Sequence, residues 1–165
     1  YKAMLPDYDF VLTQHIKSPS KESDLRVLSL NDPKDLNIVH HLLCVRVPLS
    51  NNFSIIDTRS MLFILNTLSK RIHYSEILNA IVMFEINGNT LYITEVISQK
   101  QHELSEIIAM IPGHFDKVIL QFCPDRFLDE KDYITKLASP VCCVLTSNQF
   151  AFKGEYFRYP ELYYC

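Results

Sequence analysis

Residues 78–124, LNAIVMFEINGNTLYITEVISQKQHELSEIIAMIPGHFDKVILQFCP, decide the architecture. Residues 81–86 are nearly continuously apolar, as in a strand covered on both faces, and residues 91–97 are β-branched and aromatic except for Thr94 and Glu95. Between them stands Asn87-Gly88, the strongest short-range hairpin signal, because both central residues of a type I′ turn need positive φ. The chain has only three glycines, so one spent here is informative. The apolar period then becomes helical: Leu104, Ile107, Ile108 and Ile111 share one face, which predicts a helix starting near Gln99 and ending at Pro112-Gly113. Ser98 with Gln101 has the form of a capping box at its start. Residues 118–122 follow as a buried strand, and a strand–helix–strand unit normally makes a parallel pair with a right-handed crossover.

Working outward, Asp32-Pro33 followed by Asp35 is a strong helix start, since Asp caps free N–H groups, Pro suits the first turn and a further carboxylate complements the dipole. This helix should reach about Val45, with Leu36, Val39, Leu42 and Leu43 as its buried face, and Pro48 prevents much continuation. A second helix fits residues 58–71, with Met61, Leu65, Leu68 and Ile72 on one side. Residues 125–137 are charged and ambiguous, compatible with a short helix in a long connection. Residues 141–145 read as a strand, and Ser147-Asn148 as a turn into a last strand around 150–152.

The chain has 165 residues, 48% of them hydrophobic, enough for one domain that buries roughly 70% of the surface its unfolded form exposes. Its net charge is −3 and its lysines and arginines are scattered, which argues against nucleic acid as a partner. No apolar run reaches the roughly 18 residues that span a bilayer, and YKAMLPDYDF lacks a basic-then-apolar leader pattern, so a cytoplasmic location without membrane contact is expected. The five cysteines show no C-x-x-C spacing and read as small buried hydrophobes. His40, His41 and Cys44 have metal-like spacing, but nothing nearby supplies a matching pair, and no metal is expected. The carboxylates Glu103, Glu106, Asp125, Asp129, Glu130 and Asp132 read as a solvated face.

The unit at 78–124 resembles the core of the GNAT acetyltransferases, where a strand, a loop and a helix hold the pyrophosphate of acetyl-CoA. That loop needs an Arg or Gln and closely spaced glycines, whereas this chain has Ser98, Gln99, Lys100, Gln101, His102 and Glu103. Two further stretches carry the resemblance: Arg46-Val47-Pro48-Leu49-Ser50-Asn51-Asn52-Phe53 is similar to an R-x-P-V-S-x-x-F segment, and Phe157-Arg158-Tyr159-Pro160-Glu161-Leu162 to an F-R-F-P-x-L close, both of a bacterial group of two-part GNAT-like proteins. The resemblance covers about 25–165. It departs at Leu49, at Tyr159 and at the final Tyr164-Cys165, where that group usually ends in His and a small residue.

The resemblance implies an α/β (α+β) domain with a GNAT-like mixed sheet and flanking helices. It also implies a division of the chain. Residues 1–16, with Tyr8, Phe10 and Leu12 in alternation, would be the closing strand of a preceding acetyltransferase domain, residues 17–24 a linker, and residues 25–165 a degenerate GNAT-like domain. Such a portion would shape the acceptor side of an N-acetyltransferase whose other half binds acetyl-CoA; this portion itself would bind no cofactor. The expected partners are that preceding half, a small amine acceptor and a second copy of the chain in a homodimer. Arg46, Ser50 and Phe53 are the candidate substrate-binding residues; the residues by themselves favour the structural reading, with Arg46 as a brace for helix-end carbonyls and Ser50 as a cap. No catalytic residue is assigned. The alternatives are a non-catalytic binding or dimerisation module of GNAT-like fold, and an intact enzyme holding CoA through Lys100 and a helix N-terminus.

Overall fold

The computed structural model describes residues 2–13, 23–51, 54, 62, 65, 72–145 and 158. The central hairpin forms as its sequence requires: β4 (Ala80–Asn87) pairs antiparallel with β5 (Thr90–Ser98), closing at Asn87 opposite Thr90. The two connecting residues are therefore Gly88 and Asn89, one position later than expected. Gly88 has φ of 59° while Asn89 keeps a negative φ. Glycine first is the requirement of a type II′ connection rather than I′. Helix α2 (Leu104–Met110) then carries the chain to β6 (Lys117–Leu120), which runs parallel to β5.

Helix α2 begins well after Gln99, and the expected Ser98–Gln101 cap is not what starts it. The Ser98 hydroxyl donates to the Lys100 carbonyl at 2.6 Å, turning the chain instead. The cap is a box made by Glu103 and Glu106: the Glu103 carboxylate accepts from the third helical N–H, and the Glu106 carboxylate accepts from the Glu103 N–H at 3.1 Å. A Glu pair satisfies the same two donors as a Ser–Gln pair, so spacing alone did not separate them.

Helix α1 (Pro33–Val45) matches expectation at both ends, with the Asp32 carboxylate accepting from the Lys34 N–H at 2.8 Å. Its buried residues are Asp35, Val39, Leu42 and Leu43, while Leu36 is exposed, contrary to the sequence reading. The stripe is rotated because Asp35 faces inward, where its carboxylate accepts from Arg26 at 2.7 Å and from the Ser29 N–H at 2.9 Å. Those donors hold the Asp35 carboxyl below its ordinary value. Of the helix expected at 58–71, Leu62 and Leu65 are described and helical, and Leu65 is fully buried; its bounds, and the turn and strand expected at 147–152, lie outside the described residues.

Among the described residues, the remaining strands make up a seven-stranded mixed sheet. β3 (Ile72–Ser75) joins β4, β2 (Arg26–Leu28) joins β3, and β1 (Lys2–Leu12) lies antiparallel between β6 and β7 (Tyr133–Leu145). The order is β2-β3-β4-β5-β6-β1-β7. The mixed α/β class, a mixed sheet with flanking helices, is as expected. The segment read as a closing strand lies in this sheet, filling the place between β6 and β7. Strand β7 starts at Tyr133, earlier than the 141–145 expected, after a 3-10 turn at Glu130–Asp132. Pro6 and Pro140 fall in the stretch where the β1–β7 register shifts, since proline cannot supply a ladder donor.

Two apolar cores lie on opposite faces of the sheet. Val39, Leu42 and Leu43 of α1 pack with Ile81, Met83 and Ile97; Leu104, Ile107 and Ile108 of α2 pack with Val82, Leu91, Ile93 and Val96. Two chain ends meet in an ion pair: Arg158 Nη1 lies 3.0 Å from Asp7 Oδ2 and 3.5 Å from Asp9 Oδ1, with Asp7 fully buried. Removing one partner of a buried pair leaves an uncompensated charge. Arg158→Ala should therefore cost about 3–5 kcal/mol in urea unfolding, whereas a value under about 1 kcal/mol would mean that water reaches Asp7 readily.

Candidate functional site

The site arises from one extra residue in β5. Met83 stands opposite Glu95 and Phe84 opposite Ile93, so Thr94 has no counterpart on β4 and the strand is bulged there. The bulge resets the alternation: Leu91, Ile93 and Val96 all enter the α2-side core, although the last interval is three residues rather than two. Glu95, paired with Met83, faces the α1 side, where Met83 itself is packed.

At the same point the parallel ladder between β5 and β6 stops. Its last pair is Ile93 with Leu120, extended by a bond from the Gln121 N–H to the Ile93 carbonyl at 2.9 Å and by one from the Thr94 hydroxyl to the Gln121 side-chain carbonyl at 3.2 Å. β5 runs on to Ser98 beyond that pairing. The carboxyl ends of parallel strands, where pairing ceases, are where open α/β sheets offer a crevice.

Residues 46–51, the loop leaving α1, lie across this place. The Val47 N–H donates to the Ser98 carbonyl at 2.9 Å, at the end of β5. Beyond β6, the Asp125 carboxylate accepts from the Ser50 hydroxyl and, at 2.8 Å, from the Asn51 N–H. Arg126 Nη1 donates back to the Pro48 carbonyl at 2.7 Å. Leu49 is buried in the α2-side core although α1 packs on the other face, so the loop crosses from one face to the other past the strand ends.

Glu95 is 4% exposed, and burial pushes its carboxyl up to about 7. The Arg46 guanidinium and the Val96 N–H oppose that rise without cancelling it. A carboxyl poised near neutrality can give or take a proton at physiological pH. The start of α2 has the opposite character to an anion site, because the Glu103 and Glu106 carboxylates stand there and already occupy two of its N–H groups. Next to it His102 is buried, its Nδ1 3.8 Å from Glu106 Oε2, and burial lowers its pKa.

Of the expected site residues, Arg46 acts electrostatically on Glu95, Ser50 is held by Asp125, and Phe53 lies outside the described residues. Asp125 is not part of a solvated face, since both its oxygens bind the loop. Glu95 was not among the sequence candidates; its signal was a single carboxylate in an otherwise apolar strand. Cys123 is buried, its thiol pushed up to about 12 by burial, but Cys44 is exposed, with its Sγ 3.9 Å from the His40 ring. No group of three metal-ligating side chains occurs among the described residues, and no helix among them is long and apolar enough to cross a membrane.

No protein-family model matches the chain, and no curated protein matches it. Among solved structures, it is similar to a conserved protein of unknown function from Enterococcus faecalis V583, described as a "Probable N-Acyltransferase", with 14% identity and a TM-score of 0.47. The match covers 82% of this chain and 38% of that one, so this chain spans well under half of that neighbour's length.

Glu95 gives the site a pH signature. Its folded value, about 7, lies above the ordinary 4.5, so between these values the folded protein keeps a proton that the unfolded chain has lost. Stability contributed by protonated Glu95 is thus complete below pH 4.5 and lost as pH rises to about 7. The loss should be of order 3 kcal/mol at most. His102 acts in the other direction, withdrawing stability as pH falls below the ordinary 6.5. The difference between wild type and Glu95→Gln in urea unfolding isolates the Glu95 contribution: the variant should gain on wild type as pH rises from 5 to 8, and a pH-independent difference would show that Glu95 is ionised throughout.

Proposed function

We propose that this chain forms the acceptor side of an N-acyltransferase, holding a small cationic amine against Glu95 while acetyl-CoA is bound by a preceding acetyltransferase half outside these residues. The observation that carries this reading is the buried carboxyl at the β5 bulge, beside Arg46, with a pKa of about 7. An ionised Glu95 attracts an ammonium group and can accept one of its protons, leaving the nitrogen lone pair free to attack an acyl carbon. Arg46 keeps part of the Glu95 population ionised, which is the state that takes the proton.

The cofactor is assigned elsewhere because the α2 start fits a pyrophosphate poorly. Two of its N–H groups are taken by carboxylates, the preceding residues contain no glycine, and Leu49 fills the adjoining core. A second reading, a non-catalytic binding or dimerisation module, is favoured by one observation: Ile134 and Leu137 are 60% and 52% exposed on β7, at the edge of the sheet.

Calorimetric titration of this chain with acetyl-CoA should show binding no tighter than millimolar, about 4 kcal/mol. Micromolar affinity, about 8 kcal/mol, would overturn the division of labour. Titration with n-butylamine, followed through the Glu95 side-chain carbon by NMR, should lower the apparent pKa of Glu95. A curve indifferent to saturating amine would remove the acceptor reading and leave the binding module.

A further inference from the structure

We propose that residues 46–51 form a releasable latch over the gap where β5 and β6 part, held shut by the Asp125 carboxylate, and that its opening is the path to Glu95. The first support is accessibility: Glu95 is 4% exposed, so a ligand that meets its carboxylate must first displace something. That such a ligand exists rests on the acceptor reading; the latch itself does not.

The second support is how the loop is fastened. A strand in this position would share a ladder with its neighbours, whereas among the described residues this loop is tied to the sheet's main chain through the Val47 N–H and the Ser98 carbonyl. Among the described residues its further hydrogen bonds include one from the Leu49 N–H to the Ser54 hydroxyl at 3.2 Å and a group that runs to two adjacent side chains of opposite charge on the far loop. Asp125 collects two donors, the Ser50 hydroxyl and the Asn51 N–H, while Arg126 supplies a donor to the Pro48 carbonyl. Charge-assisted bonds of this kind are strong, yet all of them are lost together when one short loop moves. Pro48 and Asn51 are exposed, Arg46 and Val47 are half-buried, and Leu49 is the apolar side chain of the loop that is buried. Segments with few buried apolar contacts open locally at less cost than the sheet that carries them.

The third support is position. Arg46, the first residue of the loop, is the charge that acts on Glu95, and Val47 is bonded to Ser98 three residues beyond Glu95 on the same strand. Moving the loop therefore changes the surroundings of Glu95 directly, without requiring the sheet to bend.

Amide hydrogen exchange on this chain tests the latch. In the wild type, the Val47 and Asn51 amides should exchange at least about tenfold faster than those of Ile81 and Val82 in β4, by local opening. In Asp125→Asn they should accelerate by about tenfold or more again, with the β4 amides unchanged. Ser50→Ala, which removes one of the two donors to Asp125, should move the same amides in the same direction, and serves if the first variant does not fold. Equal exchange of loop and β4 amides, changing together in either variant, would overturn the proposal by showing that the loop opens only when the domain unfolds. The experiment contains no amine, so its failure removes the latch and leaves the acceptor reading to its own titration.

Discussion

The extra residue at Thr94 is the constraint on which the rest of the site depends. A β-strand has a side-chain period of two, and inserting one residue turns the following side chains over. Here the insertion allows Ile93 and Val96 to serve the same core and sends Glu95 to the face that carries α1. It also coincides with the end of the β5–β6 ladder, leaving the last residues of β5 to find other partners. The Ser98 carbonyl finds one in the Val47 N–H, which brings the loop after α1 across the strand ends. A buried acid, a break in the sheet and a covering loop thus meet at a single local irregularity.

The carboxylates of the domain show how surroundings divide chemically identical groups. Asp35 is buried but accepts from Arg26 and Ser29, and its pKa is lowered. Asp9 lies near Arg158 yet also near Asp7, and burial with that like charge raises it. Glu95 has one cation in its neighbourhood and one N–H, and burial outweighs both. Hydrogen-bond donors outweigh burial at Asp35, whereas burial outweighs the favourable charges at Asp9 and Glu95. Structural acids are the well-supplied ones, and the under-supplied Glu95 is the one whose proton is mobile near neutral pH.

Much of the fold was legible because local signals dominate where they are strong. The Gly88 connection, the Asp32 start of α1 and the change of period after Ser98 each rest on interactions within a few residues. Errors arose where distant partners decide. Leu36 is exposed because Asp35 is drawn inward by Arg26 from another strand. Residues 133–140 become strand because β1 pairs with them across more than a hundred residues of sequence, despite charge and Pro140. The site was less legible for the same reason. Ser50 and Asp125 are 75 residues apart and look unremarkable singly, and only the fold makes them a clasp. Glu95 did carry a local signal, a lone carboxylate among apolar neighbours, that periodicity treats as noise.

The covering loop also bears on how tightly any ligand could bind. Burying a leucine such as Leu49 is worth about 1.5–3 kcal/mol, and each hydrogen bond to a charged group such as Asp125 or Arg126 about 1.5–3 kcal/mol. Under the proposed latch, a ligand entering between β5 and β6 would have to replace these contacts, and its apparent affinity would fall by the fraction of molecules that are open. An amine that meets Glu95 recovers part of that cost through its charge, whereas an apolar chain recovers only area. An anion would recover nothing at the carboxylate and would meet Glu103 and Glu106 at the start of α2. On the proposed acceptor reading, the closed loop and the placement of acids would discriminate together, admitting small cations at reduced affinity and disfavouring phosphate-bearing molecules.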